Sequence, residues 1–181
     1  MSALSIPSVR CGIVQDTAGT PTVKHVNIPN LPPTSILIKT HAVALNPTDN
    51  KMPASFPTPG ALIGCDFAGV VVAMGSEAAD ITTVRIGDRV AGAVHGSNRL
   101  DHESGAFAEY VRAEADLVWQ VPNHMSWEDA AAIGGTGHGT LCLALWGEMK
   151  LGGRPESPCS VENKEFVLIY VSPLGLACRV R

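Results

Sequence analysis

The chain has 181 residues, 45% of them hydrophobic and 17% charged, with a formal net charge of −4 and a pI near 5.8. No segment concentrates Lys or Arg, so nothing in the charge pattern supports a nucleic-acid or membrane-surface role. No run of 18 apolar residues occurs, the N-terminal "MSALSIPSVRCGIVQ" has no basic start before an apolar stretch, and the five cysteines are scattered without a C-x-x-C pair. These features exclude an ordinary membrane span, a signal peptide and a disulfide framework, and place the expected setting in a reducing cytoplasm.

In chain order, the first two-thirds read as short strands between turns. "SILIKTHAVAL" (35–45) alternates and stops at Asn46-Pro47, because proline cannot continue a ladder. "FAGVVVAMG" (67–75) is β-branched at its centre and bounded by Gly69 and Gly75. "IGDRVAGAV" (86–94) predicts a turn at Gly87-Asp88 feeding a strand. "GAFAEYVRA" (105–113) alternates again, and "LVWQVP" (117–122) closes the series. Closely spaced short strands with Gly and Pro punctuation predict a compact barrel.

The pattern changes after Pro122. Ser126 predicts an N-cap with Asp129 three positions on, and alanines 130 to 132 favour the helix that follows. "GGTGHGT" (134–140) is expected to interrupt it. "LCLALWGEMKL" (141–151) reads as a second helix, and 151–164 as a polar linker with two prolines. "FVLIY" (166–170) is an apolar run of the kind a strand buried on both faces uses. The fold class expected is mostly β with some α: a barrel at 1–150, a linker at 151–164, and at 165–181 the first strand of a second, α/β domain.

Several stretches carry candidate chemistry. "TDNK", residues Thr48, Asp49, Asn50 and Lys51, offers a hydroxyl, a carboxylate, an amide and an ammonium, which together can hydrogen-bond a carboxamide, a ribose or a phosphate. The same residue types also make an Asx turn after proline. "TLCLALWG", residues Thr140, Leu141, Cys142, Leu143, Ala144, Leu145, Trp146 and Gly147, has apolar side chains at helical spacing, equally suited to a core and to an apolar ligand. The glycines at 134, 135, 137 and 139 favour a close backbone approach, but no buried strand precedes them as a dinucleotide fingerprint requires. His138 lies in this bend as a possible hydrogen-bond donor or as a solvent-facing loop residue. No G-x-S-x-G elbow occurs, and no catalytic acid, base or nucleophile is assigned.

"ALNPTDNK", "GCDFAGVVVAMGS", "IGDRVAG" and "GAFAEYV", in this order and spacing, resemble the GroES-like half of the medium-chain dehydrogenase/reductase superfamily. The closer likeness is to fungal trans-acting enoyl reductases of the lovastatin enoyl reductase type. That resemblance spans about 36–170. It implies NADPH as cofactor near Thr48–Lys51, and a substrate pocket bordered by Thr140–Gly147. It also implies a partner, a highly reducing polyketide synthase or synthase–peptide synthetase hybrid carrying the α,β-unsaturated thioester. The reaction implied is conjugate reduction, with hydride going to the β-carbon and a proton to the α-carbon. Zinc-dependent members of the superfamily place a Cys where this chain has Asn46 and a His-Glu pair where it has Cys65-Asp66, so a metal-free site is expected. Family members also carry a glycine-rich turn and a helix after the strand at 166–170, whereas "VSPLGLACRVR" follows here, with Pro173 at the turn and only Gly175 remaining. The resemblance therefore implies that 165–181 hold the first strand of a truncated cofactor-binding domain of Rossmann type. Two further possibilities stay open: a quinone-oxidoreductase-like reductase of small enones, and a non-catalytic remnant or docking module that binds a synthase.

Overall fold

A computed structural model describes residues 5–153, 157, 166–170 and 176–180. The chain divides into two compact units between Gly137 and His138. In the first unit, β1 (Val9–Gln15) and β2 (Pro21–Asn27) pair as an antiparallel ribbon. The main sheet is built on β3 (Ser35–Ala44), which pairs with β4 (Asp66–Met74) from Ile36↔Met74 to Ala44↔Asp66. The register shifts twice, between Leu37 and Ile38 and between Thr40 and Ala42. Such bulges add twist and bend a sheet toward closure. β5 (Arg89–Ala93), β6 (Tyr110–Glu114) and β7 (Val118–Gln120) complete an antiparallel sheet of order β6-β3-β4-β5-β7. The ribbon joins the rest through single bridges, Gly12↔Ala108 and Val14↔Leu62.

One face of this sheet makes the main core. Ile36, Ile38, Phe67, Val71, Val90 and Val111 are buried there. Each contributes about 1.5–3 kcal/mol relative to exposure. The opposite face is covered by α3 (Trp127–Ile133), whose Ala130 and Ala131 pack with Ala68, Ala91 and Val121. Small residues let the helix approach closely. Ser126 caps α3 as expected: its Oγ accepts from Asp129 N at 3.0 Å and donates to Asp129 Oδ2 at 2.6 Å. The Trp127 ring lies between His41, stacked at 4.6 Å between centroids, and the Arg89 guanidinium, 4.0 Å from its centroid. Arg89 also donates to the carbonyls of Pro122, Asn123 and Met125, and so holds the turn that enters α3.

The strands expected at 35–45, 67–75, 86–94 and 117–122 occur, and the one expected at 105–113 begins only at Tyr110. Gly87, at φ +95°, makes the turn before β5. β1 and β2, which the sequence did not single out, are additional. Residues 48–51 correct the expected turn: they lie in a helix, α1 (Pro47–Ser55), with proline at its first position. A short helix, α2 (Ala78–Ile81), links β4 to β5. The interruption expected at 134–140 is confined to Gly134 and Gly135, because α4 (Thr136–Cys142) begins directly after them and runs into a π-helical turn, Leu143–Glu148. In the second unit β8 (Phe166–Tyr170) pairs antiparallel with β9 (Leu176–Val180), so the strand expected to stand alone has a partner. Most of the expected linker, Pro173 and Gly175 lie outside the described residues.

Candidate functional site

The polar centre of the first unit lies where β3 runs into α1 and meets the start of β4. Asn46 is extended, at φ −119° and ψ 153°, and Pro47 then sets the helical φ of α1. Asp49, at the third helical position, reaches back so that its Oδ2 accepts from Asn46 N at 2.7 Å. This satisfies a backbone donor that the helix itself cannot. Asp49 is only 8% exposed, and its Oδ1 has no hydrogen-bond partner. A buried carboxylate oxygen without a donor is costly unless a ligand supplies one.

Asp66, 1% exposed, organises the next layer. Its Oδ2 accepts from Asn46 Nδ2 at 2.8 Å, and its Oδ1 accepts from the backbone amides of Gly135 and Thr136 at 3.0 and 2.9 Å. One carboxylate thus ties the end of β3, the start of β4 and the first amides of α4 together. Gly134 fits against it because it has no side chain: a Cβ there would stand 2.7 Å from Asp66 Cγ, and the residue sits at φ +30°. Gly135 abuts Ala93 in the same way, and Trp119 Nε1 donates to the Gly134 carbonyl at 3.0 Å. The close approach read from the glycines therefore applies to 134 and 135. A methyl group added at Gly137 would have Ala132 O as its nearest neighbour, at 4.0 Å, and at Gly139 it would meet nothing within 4 Å.

Cys65 stands between these carboxylates. Burial pushes its thiol up to about 11; the Gly96 amide opposes this, while the charge of Asp49, a hydrogen bond from the thiol to the Asp49 carboxylate and the charge of Asp66 reinforce it. It is a neutral S–H at pH 7 and a small, half-buried group, not a thiolate. Among the described residues no three His, Cys, Asp or Glu side chains converge closely enough to hold a metal ion. Asn46 and Asp66 are bonded to each other.

Of the residues singled out in the sequence, Thr48, Asp49, Asn50 and Lys51 share the first turns of α1. Asp49 points into the protein, while Asn50 and Lys51 are exposed. In the second unit, Thr140, Leu141 and Cys142 end α4, and Leu143, Ala144, Leu145, Trp146 and Gly147 form the π-helical turn. There Met149 N donates to Ala144 O at 2.9 Å and Trp146 Nε1 to Gly153 O at 2.6 Å. Leu141 and Leu143 are 47% and 69% exposed, more than core positions would be. Asp66 was missed as an organiser. Its signal was available only in its buried position at the mouth of β4, since its partners lie far away in sequence.

Residues 32–123 match the family model described as the alcohol dehydrogenase GroES-like domain, half of the chain. The chain belongs to that GroES-like family. With this membership the fold is that of the medium-chain dehydrogenase/reductase superfamily, of which the GroES-like unit is the barrel half. Trans-enoyl reductase ffsC of Aspergillus flavipes is 46% identical over 168 residues, covering 92% of this chain and 46% of the relative. Trans-enoyl reductase ccsC of Aspergillus clavatus is 51% identical over 132 residues, covering 72% of this chain and 36% of the relative. The GroES-like chain thus spans about half the length of the curated relatives it matches. Among solved structures, the quinone oxidoreductase of Coxiella burnetii superposes with a TM-score of 0.63 at 27% identity, over 80% of this chain and 46% of that one. A mycobacterial protein solved in complex with NADPH gives 0.61 at 27% identity, over 82% and 44%. No helix among the described residues is long and apolar enough to cross a membrane.

Proposed function

We propose that this chain is the GroES-like half of a trans-acting enoyl reductase, which reduces α,β-unsaturated thioesters presented by a polyketide synthase or a synthase–peptide synthetase hybrid. Its oxidoreductase family and its 40–51% identity to proteins named trans-enoyl reductases support the reaction class. NADPH is the cofactor proposed, and it supplies the hydride when bound. The observation that carries the reading is the Asp49 carboxylate, buried in the first turn of α1 with no N–H or O–H donor to its Oδ1, where the family resemblance puts the nicotinamide end. Such an oxygen fits the N–H of a carboxamide or the O–H of a ribose.

In this scheme Asp49 accepts from the cofactor, while Thr48, Asn50 and Lys51 supply outward donors for its hydroxyl and phosphate oxygens. The Asn46–Asp66 pair fixes the position of α1 relative to β4, and with it the Asp49 carboxyl. The residues Thr140–Gly147 would border the acyl chain, with the exposed Leu141 and Leu143 as its apolar contacts. Conjugate reduction of this kind asks the protein for alignment and for donors to the thioester oxygen, not for a covalent nucleophile.

The test is NADPH binding and turnover by the protein as its gene encodes it. Expected are reduction of an α,β-unsaturated N-acetylcysteamine thioester, and weaker NADPH binding by fluorescence titration in Asp49→Ala. The likeness to the Coxiella quinone oxidoreductase defines the competing outcome. Turnover of a quinone with no turnover of the thioester would replace this function with the quinone reading. Binding to a synthase without NADPH binding would replace it with the docking reading.

A further inference from the structure

Three cysteines of the described residues are free thiols, and they sit in different surroundings. Cys65 is held neutral between carboxylates. Cys11 lies on β1, where its backbone amide donates to Glu109 Oε2 at 2.7 Å and its cross-strand neighbour on β2 is His25. Cys142 differs from both. Its Sγ lies 3.5 Å from Nε2 of His138, one turn earlier on α4. With the imidazole protonated on Nδ1, Nε2 accepts from the thiol, which is the arrangement of a nucleophile beside its base.

The pair is also reachable. His138 is exposed and Cys142 half-buried, and the residues on either side of His138 are glycines. A β-carbon at Gly139 would meet nothing within 4 Å, and one at Gly137 only Ala132 O at 4.0 Å. The helical surface around the imidazole is therefore low, and a planar electrophile can approach the sulfur across it.

We propose that Cys142 and His138 form a nucleophilic thiol site that adds to α,β-unsaturated carbonyl compounds. His138 Nε2 takes the thiol proton, and the thiolate attacks the β-carbon. A C–S bond forms as the C=C π pair moves to the α-carbon and carbonyl. The imidazolium then returns its proton to the α-carbon. The S–H has been added across the double bond, with no oxidant, reductant or leaving group. That the natural acceptor is the unsaturated acyl chain itself rests on the function proposed above, because Cys142 lies in the stretch assigned to its border. The adduct would be a reversible block formed when an unsaturated chain waits unreduced beside this helix.

The experiment uses the protein as its gene encodes it, treated with N-ethylmaleimide in the absence of NADPH and mapped by peptide mass spectrometry over time. Expected is alkylation of Cys142 at least roughly tenfold faster than of Cys65, in keeping with base assistance of a thiol. His138→Gln should slow Cys142 by roughly tenfold and leave the rate at Cys11 unchanged, which also shows that the variant is folded. Cys142→Ser should remove the fast adduct. Equal rates at Cys142 and Cys65, or a Cys142 rate unmoved by His138→Gln, would overturn the proposal. No cofactor is present and the readout is mass, so this failure is separate from failure of the enoyl reductase assay.

Discussion

Removing the Asp66 carboxylate should cost the first unit several kilocalories of stability. Its two oxygens take three hydrogen bonds, from Asn46 Nδ2 at 2.8 Å, Gly135 N at 3.0 Å and Thr136 N at 2.9 Å, and the side chain is 1% exposed. A bond to a charged group is worth about 1.5–3 kcal/mol, and a buried donor left without its acceptor costs about 1–3 kcal/mol. The three are coupled, and burying the charge carries its own cost, so they do not add in full. Asp66→Ala should therefore lose about 3–5 kcal/mol. Asp66→Asn keeps an acceptor for the two amides but sets its NH2 against that of Asn46, for a loss of about 1–2 kcal/mol. Urea denaturation gives both values. In a thermal melt, at about 2–4 °C per kcal/mol for a chain of this size, the alanine variant should fall by about 6–20 °C. An alanine variant within about 1 kcal/mol of the native protein would refute the view that this carboxylate joins β3, β4 and α4.

Glycines 134 and 137 should respond in opposite directions. Gly134→Ala forces a Cβ to 2.7 Å from Asp66 Cγ at a φ of +30°, for a loss of about 1–3 kcal/mol. Gly137→Ala meets only Ala132 O at 4.0 Å, in a helix, and should gain about 0.4–1 kcal/mol in the same denaturation experiment. Arg89→Lys keeps the charge but loses the fork that reaches the carbonyls of Pro122, Asn123 and Met125, and should cost about 1–2 kcal/mol in a urea titration. For Cys65 the folded thiol is raised above an ordinary one, so the stability tied to its neutral form is complete below about pH 8.5 and lost as pH rises through about 11. Native protein should lose stability across that alkaline window by an amount that Cys65→Ala does not show, measured as denaturation midpoints against pH.

The strands that were legible in the sequence are those whose pattern is local. Ile36 and Ile38 face the core while Lys39 and His41 face out, and Asn46-Pro47 ends β3 where the sequence says it must. β1 was obscured because two of its buried side chains, Arg10 and Gln15, are polar, 1% and 0% exposed. Burial pushes the Arg10 guanidinium down to about 10, so it remains a cation at neutral pH; it is tolerated because it donates to the carbonyls of Tyr110 and Glu103, on distant segments. α1 was hidden by residues that serve a turn and a capped helix equally well, and the outcome is decided by Asp49 closing onto Asn46 N. The early start of α4 at Thr136 runs against its two glycines. It is set by Asp66, 70 positions away, which no local window contains. The candidate site was legible in the same proportion: Asp49 could be picked out by type, but its burial and its unpartnered oxygen belong to the fold alone.

The pairing of β3 has a consequence for the order in which the chain can assemble during synthesis. Its partner on one side, β4, follows after a short helix and loop, but its partner on the other side is β6, where Ser35 meets Glu114 and Lys39 meets Tyr110. From the completion of β3 at Ala44 until Tyr110 leaves the ribosome, that edge of β3 has no strand to pair with. At about 5–20 residues per second the wait is on the order of 3–13 s, long beside the microseconds in which a hairpin forms. Ile36, Leu37 and Ile38 lie along the waiting edge, and all three are buried in the finished sheet. The nascent chain therefore spends seconds as an open, apolar strand edge of the kind that pairs with whatever strand it meets first. Its yield on expression should depend on the speed of translation between β4 and β6 more than on the stability of the completed fold.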